Sequence, residues 1–87
     1  MSFTVLVLGL GLTGRAVAEA LLRRGEDVRP VDDRPEGAVR RAVSELGLDL
    51  VAAPEAGEWP GLLAGCDRVV VSPGVPDAHP VFGAALQ

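Results

Sequence analysis

The chain has 87 residues, enough for one small domain that buries roughly 60–65 % of its unfolded surface. Its net charge is −4 with acids scattered among arginines, which excludes the basic face that general nucleic-acid binding needs. With 48 % hydrophobic residues it reads as globular, and neither a leader peptide nor an apolar run of about 18 residues, the length of a membrane span, is found.

In chain order, Val5-Leu6-Val7-Leu8 is an unbroken apolar run, the pattern of a strand covered on both faces of a parallel sheet. It passes directly into Gly9-Leu10-Gly11-Leu12-Thr13-Gly14, which fits G-x-G-x-x-G. Gly9 permits a tight turn, Gly11 leaves room for a phosphate against the backbone, and Gly14 lets the following helix pack close. That helix is expected over Thr13 to Arg24, with Ala16, Val17, Ala20 and Leu21 as its apolar stripe and Gly25 as its stop. Its first-turn N–H groups and positive dipole end suit a phosphate-bearing ligand.

Val28 to Val31 reads as a second strand, and Pro30 within it suggests an edge or an irregular end. Asp32-Asp33-Arg34-Pro35 follows as a loop. A second helix fits Gly37 to Leu46, with Ala38, Val39, Ala42, Val43 and Leu46 on one face and Gly47 as terminator. Leu48 to Ala53 is a weaker third strand. Pro54 to Gly65 is rich in turn formers and holds one helical turn near Trp59 to Ala64. Arg68 to Val71 is a fourth strand, closed by Ser72-Pro73-Gly74-Val75-Pro76, and a last helix starts near Pro80.

This alternation predicts an α/β domain: a parallel sheet with helices on both faces and strand order 3-2-1-4. The order reverses between strands 1 and 4. The crevice there would be lined by Gly9–Gly14 and Ser72–Pro76, with Asp32 to Arg34 alongside.

At that crevice, Asp32 and Asp33 could accept hydrogen bonds from ribose hydroxyls or a base N–H; the plainer reading is a solvated turn. Arg34 could hold a phosphate, stack on a base or pair with Asp33. Ser72 could offer a hydroxyl and Gly74 a close backbone approach; an ordinary strand-ending turn fits equally. His79 is read as helping to start the last helix, Cys66 as a small packed residue and Trp59 as a cover for the core. The lone Cys66 is compatible with a reducing, cytoplasmic setting. Every basic side chain is arginine, so a phosphate-binding Walker loop with its G-K-[ST] cannot be built here. No catalytic pair and no metal-ligating cluster is visible.

VLVLGLGLTGRAVAEALLRRG, then VDDR, then CDRVVVSPGVPDAHPVF, resembles the N-terminal domain of the Mur ligases that add D-glutamate to UDP-N-acetylmuramoylalanine in peptidoglycan synthesis. The resemblance covers nearly the whole chain, and the S-P-G-V-x-x-x-H-P stretch makes it far more specific than the glycine motif alone. It implies a Rossmann-like domain that binds the UDP of UDP-N-acetylmuramoyl-L-alanine. Gly11, Leu12, Thr13 and Gly14 would face the diphosphate, Asp32, Asp33 and Arg34 the uracil, and Ser72, Pro73 and Gly74 the path toward the muramoyl-alanine arm. The family often has a hydroxyl residue where this chain has Asp33. The resemblance also implies that residues 1–87 are one part of a three-domain, ATP-dependent ligase. A fifth strand would then be missing, ATP and magnesium would belong to a central domain, and this part alone would be inactive. The alternatives are an NAD(P)-binding domain of an oxidoreductase or nucleotide-sensing regulator, and a small interaction domain.

Overall fold

A computed structural model describes residues 3–73 and 79–85. The elements are β1 (Thr4–Leu8), α1 (Leu12–Arg23), β2 (Asp27–Asp32), α2 (Gly37–Glu45), β3 (Val51–Ala52), α3 (Trp59–Ala64), β4 (Arg68–Val71) and α4 (Pro80–Ala85), with a 3-10 turn at Ala56–Glu58 before α3. All strand pairings are parallel, and the order is β3-β2-β1-β4, as the alternation predicts. No helix among the described residues is long and apolar enough to cross a membrane.

The apolar run of β1 explains both layers at once. Successive side chains of a strand point to opposite faces. Val5 and Val7 therefore pack with Ala18, Val28 and Val43, beneath α1 and α2. Leu6 and Leu8 pack with Val31, Trp59 and Val81, against α3 and α4. Val5, Leu6, Val7 and Leu8 are all essentially buried. Burying each contributes about 1.5–3 kcal/mol, so this strand anchors both cores. Trp59 is core, as expected, and Cys66 packs beside the same cluster. The Cys66 thiol donates to the carbonyl of Leu62 at 3.3 Å. Burial pushes the Cys66 thiol above its usual pKa, which outweighs the lowering by Arg29; Asp67 adds to the rise.

Both expected helix stops hold. Gly25 has φ +81° and Gly47 φ +74°. Glu26 N donates to Leu21 O and Gly25 N to Leu22 O; Leu48 N donates to Val43 O and Gly47 N to Ser44 O. Each is the paired bonding of a Schellman ending, in which a left-handed residue lets the chain turn back on its last carbonyls. Gly47→Ala should therefore cost about 1 kcal/mol, because a Cβ is disfavoured in that backbone region. Urea unfolding reads this directly; an unchanged midpoint would mean that α2 ends without needing positive φ.

Two sequence expectations need correction. The third strand is not Leu48 to Ala53 but only Val51–Ala52. Leu48 N is taken by the α2 ending, Leu48 and Leu50 pack into the α1–α2 core, and Ala53 turns away at φ +45°. Nor is β2 an edge strand: it lies between β1 and β3. Asp27 N donates to Phe3 O and Val31 O accepts from Gly9 N, so the odd-numbered residues of β2 bond to β1. Pro30 faces the other way, where β3 pairs only with Val31 and Asp32. Its missing N–H is thus not required by the ladder. The short β3 also leaves a cleft of about 530 Å³ beside the start of β2, lined by Thr4, Asp27, Arg29, Leu48, Asp49 and Leu62. Arg29 in that cleft is tied to Leu62 O at 2.7 Å.

Candidate functional site

The carboxyl ends of β1, β2 and β4 converge where the strand order reverses. The loop after β1 is built to be tight. Gly9 has φ +91°, and its N–H bonds Val31 O at 2.8 Å, carrying the β1–β2 ladder one step further. A Cβ on Gly9 would lie 2.5 Å from Ser72 Oγ, and one on Gly14 would collide with the carbonyl oxygen of Gly9. These two glycines are therefore required by packing. Gly11 differs: its backbone is extended, and a Cβ there would meet open space.

Gly11 is the N-cap of α1, yet no side chain caps the helix. The first intrahelical donor is Arg15 N, to Gly11 O at 2.9 Å. The amides of Leu12, Thr13 and Gly14 precede it and have no partner inside the helix. Leu12 and Thr13 are exposed, Leu12 to 91 %. The positive end of the helix dipole is thus presented to solvent at the crevice, an arrangement suited to an anion.

The loop is braced from both sides. From β4, Ser72 N bonds Leu8 O, and Ser72 Oγ donates to Gly9 O at 3.1 Å. From β2, the Asp32 carboxylate accepts Leu10 N at 2.8 Å through Oδ2 and Arg34 N at 2.9 Å through Oδ1. Asp32 is half-buried rather than in an exposed loop, and each of its oxygens already takes a backbone N–H. The Ser72 hydroxyl is likewise engaged within the protein.

Asp33 does not pair with Arg34. Its Oδ2 lies 2.7 Å from Nε2 of His79. His79 Nδ1 accepts the Val81 N–H at 3.0 Å, so it does help start α4, as expected from its place before Pro80. The ring also meets Trp59 edge-on, with centroids 5.1 Å apart. Arg34 is exposed, and its guanidinium has no ion-pair partner among the described residues. Pro73 is exposed in the turn after β4; Gly74, expected to line the crevice, lies outside the described residues. Sequence reasoning left His79 out of the site, because its contact with Asp33 spans 46 residues with no local signal.

A parallel sheet of order 3-2-1-4, with a glycine loop feeding an open helix start at the reversal point, defines a Rossmann-like α/β domain. The chain belongs to the family described as Mur ligase MurD-like, N-terminal domain, which it matches over residues 3–87. It is similar to the UDP-N-acetylmuramoylalanine–D-glutamate ligase of Myxococcus xanthus, 48 % identical over 84 residues covering 93 % of this chain and 18 % of that protein. The protein of the same name from Nitrosospira multiformis is 42 % identical over 89 residues, 97 % of this chain and 18 % of the relative. That of Thermobifida fusca is 47 % identical over 84 residues, 93 % of this chain and 17 % of the relative. The chain thus spans a little under a fifth of the length of these relatives.

Proposed function

We propose that residues 1–87 form the domain that binds the UDP part of UDP-N-acetylmuramoyl-L-alanine in a larger ligase, one that adds D-glutamate during peptidoglycan synthesis. The observation that carries the reading is the uncapped start of α1, placed at the reversal point between the loops that follow β1, β2 and β4. A diphosphate would take the free amides of Leu12, Thr13 and Gly14 over the open space at Gly11. Arg34, an exposed cation at the end of β2, would stack on the base or approach a phosphate. Asp33 would contribute at the base, and Ser72–Gly74 would flank the outgoing muramoyl arm. The names of the relatives support the substrate class.

In this reading the chain binds and orients the substrate. Phosphorylation of the substrate carboxylate by ATP, with magnesium, belongs to other parts of a three-domain parent. The chain has no lysine to hold a γ-phosphate in a Walker loop, and among the described residues no three His, Cys, Asp or Glu side chains gather as a metal-ligand set. The 87 residues alone are therefore expected to be inactive in ligation. A cytoplasmic setting follows from the same reading, because the precursor is a nucleotide-linked sugar.

The engaged carboxylate of Asp32 favours this reading over a dinucleotide site. In an NAD site the acidic residue ending the second strand turns toward the ribose diol. Here it turns toward Leu10 N and Arg34 N. Titration with UDP-N-acetylmuramoyl-L-alanine, followed by amide NMR, should move Gly11–Gly14, Asp32–Arg34 and Ser72, while NADH moves none of them. Shifts at these residues with NADH and none with the UDP compound would overturn the proposal.

A further inference from the structure

We infer that His79 is a positioning residue for the nucleotide site: in one fixed tautomer it fastens Asp33, and with it the loop after β2, to the start of α4. Nδ1 accepts the Val81 N–H, so that nitrogen bears no proton. The proton of the neutral ring is then on Nε2, which donates to Asp33 Oδ2 at 2.7 Å. The α4 end of this strap is firm. Trp59, against which the ring packs edge-on, is 1 % exposed, as is Val81. The His79 side chain itself is 10 % exposed, whereas that of Asp33 is 42 % exposed. The strap thus reaches from the core to a carboxylate that solvent, and a ligand, can still touch.

Its consequence follows from what else holds the loop. Asp33 and Arg34 are exposed. The bonds of Asp32 to Leu10 N, Arg34 N and Ala53 N hold the backbone entering this turn but not the Asp33 side chain. Breaking the strap would leave the Asp33 carboxylate and the loop to be ordered by the ligand, which weakens binding.

The inference rests on the nucleotide-binding reading, and two substitutions separate the two bonds of the ring. Gln places an amide N–H near the position of Nε2 and keeps the donor to Asp33. Asn places an oxygen near the position of Nδ1 and keeps the acceptor for Val81 N–H. With UDP as the probe, His79→Gln should bind close to wild type, whereas His79→Asn should bind about three- to tenfold more weakly, the scale of one lost hydrogen bond. Wild-type affinity in His79→Asn, or an equal loss in both variants, would overturn the inference, since a mere helix cap predicts the greater harm in Gln.

A second readout does not need the ligand. Ring nitrogen shifts in the neutral wild-type protein should show a bare Nδ1 and a protonated Nε2; the opposite tautomer would overturn the strap. Amide exchange at Asp33 and Arg34 should quicken in His79→Asn and not in His79→Gln. If the wild type binds no UDP compound at all, the nucleotide reading fails, and these two measurements still decide whether the strap exists.

Discussion

Gly14→Ala should destabilise the chain by about 3 kcal/mol or more, the upper part of the range for overpacking a well-filled site. The added methyl would run into the carbonyl oxygen of Gly9, and behind Gly9 stands Ser72 Oγ. The first is a backbone atom, and the second is held by its bond to Gly9 O. Gly9 N is bound to Val31 O and Gly9 O to Ser72 Oγ, so the loop cannot retreat without breaking the ladder extension or the β4 brace. A domain of this size holds only about 4–13 kcal/mol in all, so much of its stability would go. Gly11→Ala is the matched control. Its Cβ meets nothing within the protein, so stability should stay nearly constant while affinity for UDP falls, because the methyl would occupy the space over the helix start. Urea unfolding of both variants checks the pair. Equal stability losses would mean that the two glycines play one structural role and that Gly11 carries no information about a ligand.

How much of this was legible beforehand differs from element to element. Val5–Leu8 announced a strand covered on both faces, because no polar residue interrupts it, and the alternating elements implied the strand order. Gly25 and Gly47 were readable as helix stops, since left-handed endings favour glycine whatever packs nearby. The short β3 was not readable: Leu48 and Leu50 are as apolar as strand residues, and only the α2 ending and the turn at Ala53 divert them. Pro30 misled, because its effect depends on which neighbour its N–H would have faced, a matter of register that composition does not contain. At the candidate site, the loops were legible but the bonds were not. Motif spacing places Asp32 beside the crevice; it cannot say that the carboxylate closes on Leu10 N and Arg34 N. The tie between Asp33 and His79 joins distant residues through tertiary packing, for which a single sequence carries no signal.

That use of Asp32 changes what its replacement should do. On sequence grounds, Asp32→Asn would leave stability alone and weaken only ligand binding. The structure predicts otherwise. The carboxylate accepts two backbone N–H groups, one through each oxygen. An asparagine offers one oxygen; its NH₂ would face the second N–H, donor against donor. Either the part-buried Leu10 N or the exposed Arg34 N is then left facing a donor, at a cost of about 1 kcal/mol. Because Leu10 N belongs to the glycine loop, the site loosens along with the fold, and UDP affinity should fall in the same variant. Arg34→Ala supplies the contrast: an exposed side chain with no ion-pair partner among the described residues should cost under about 0.5 kcal/mol of stability. If Arg34 meets the base or a phosphate, affinity in that variant falls without a loss of stability. Thermal unfolding and UDP titration of the two variants separate the roles. An Asp32→Asn protein as stable as wild type would show that the bonds to Leu10 N and Arg34 N contribute nothing, and Asp32 would return to being a ligand contact.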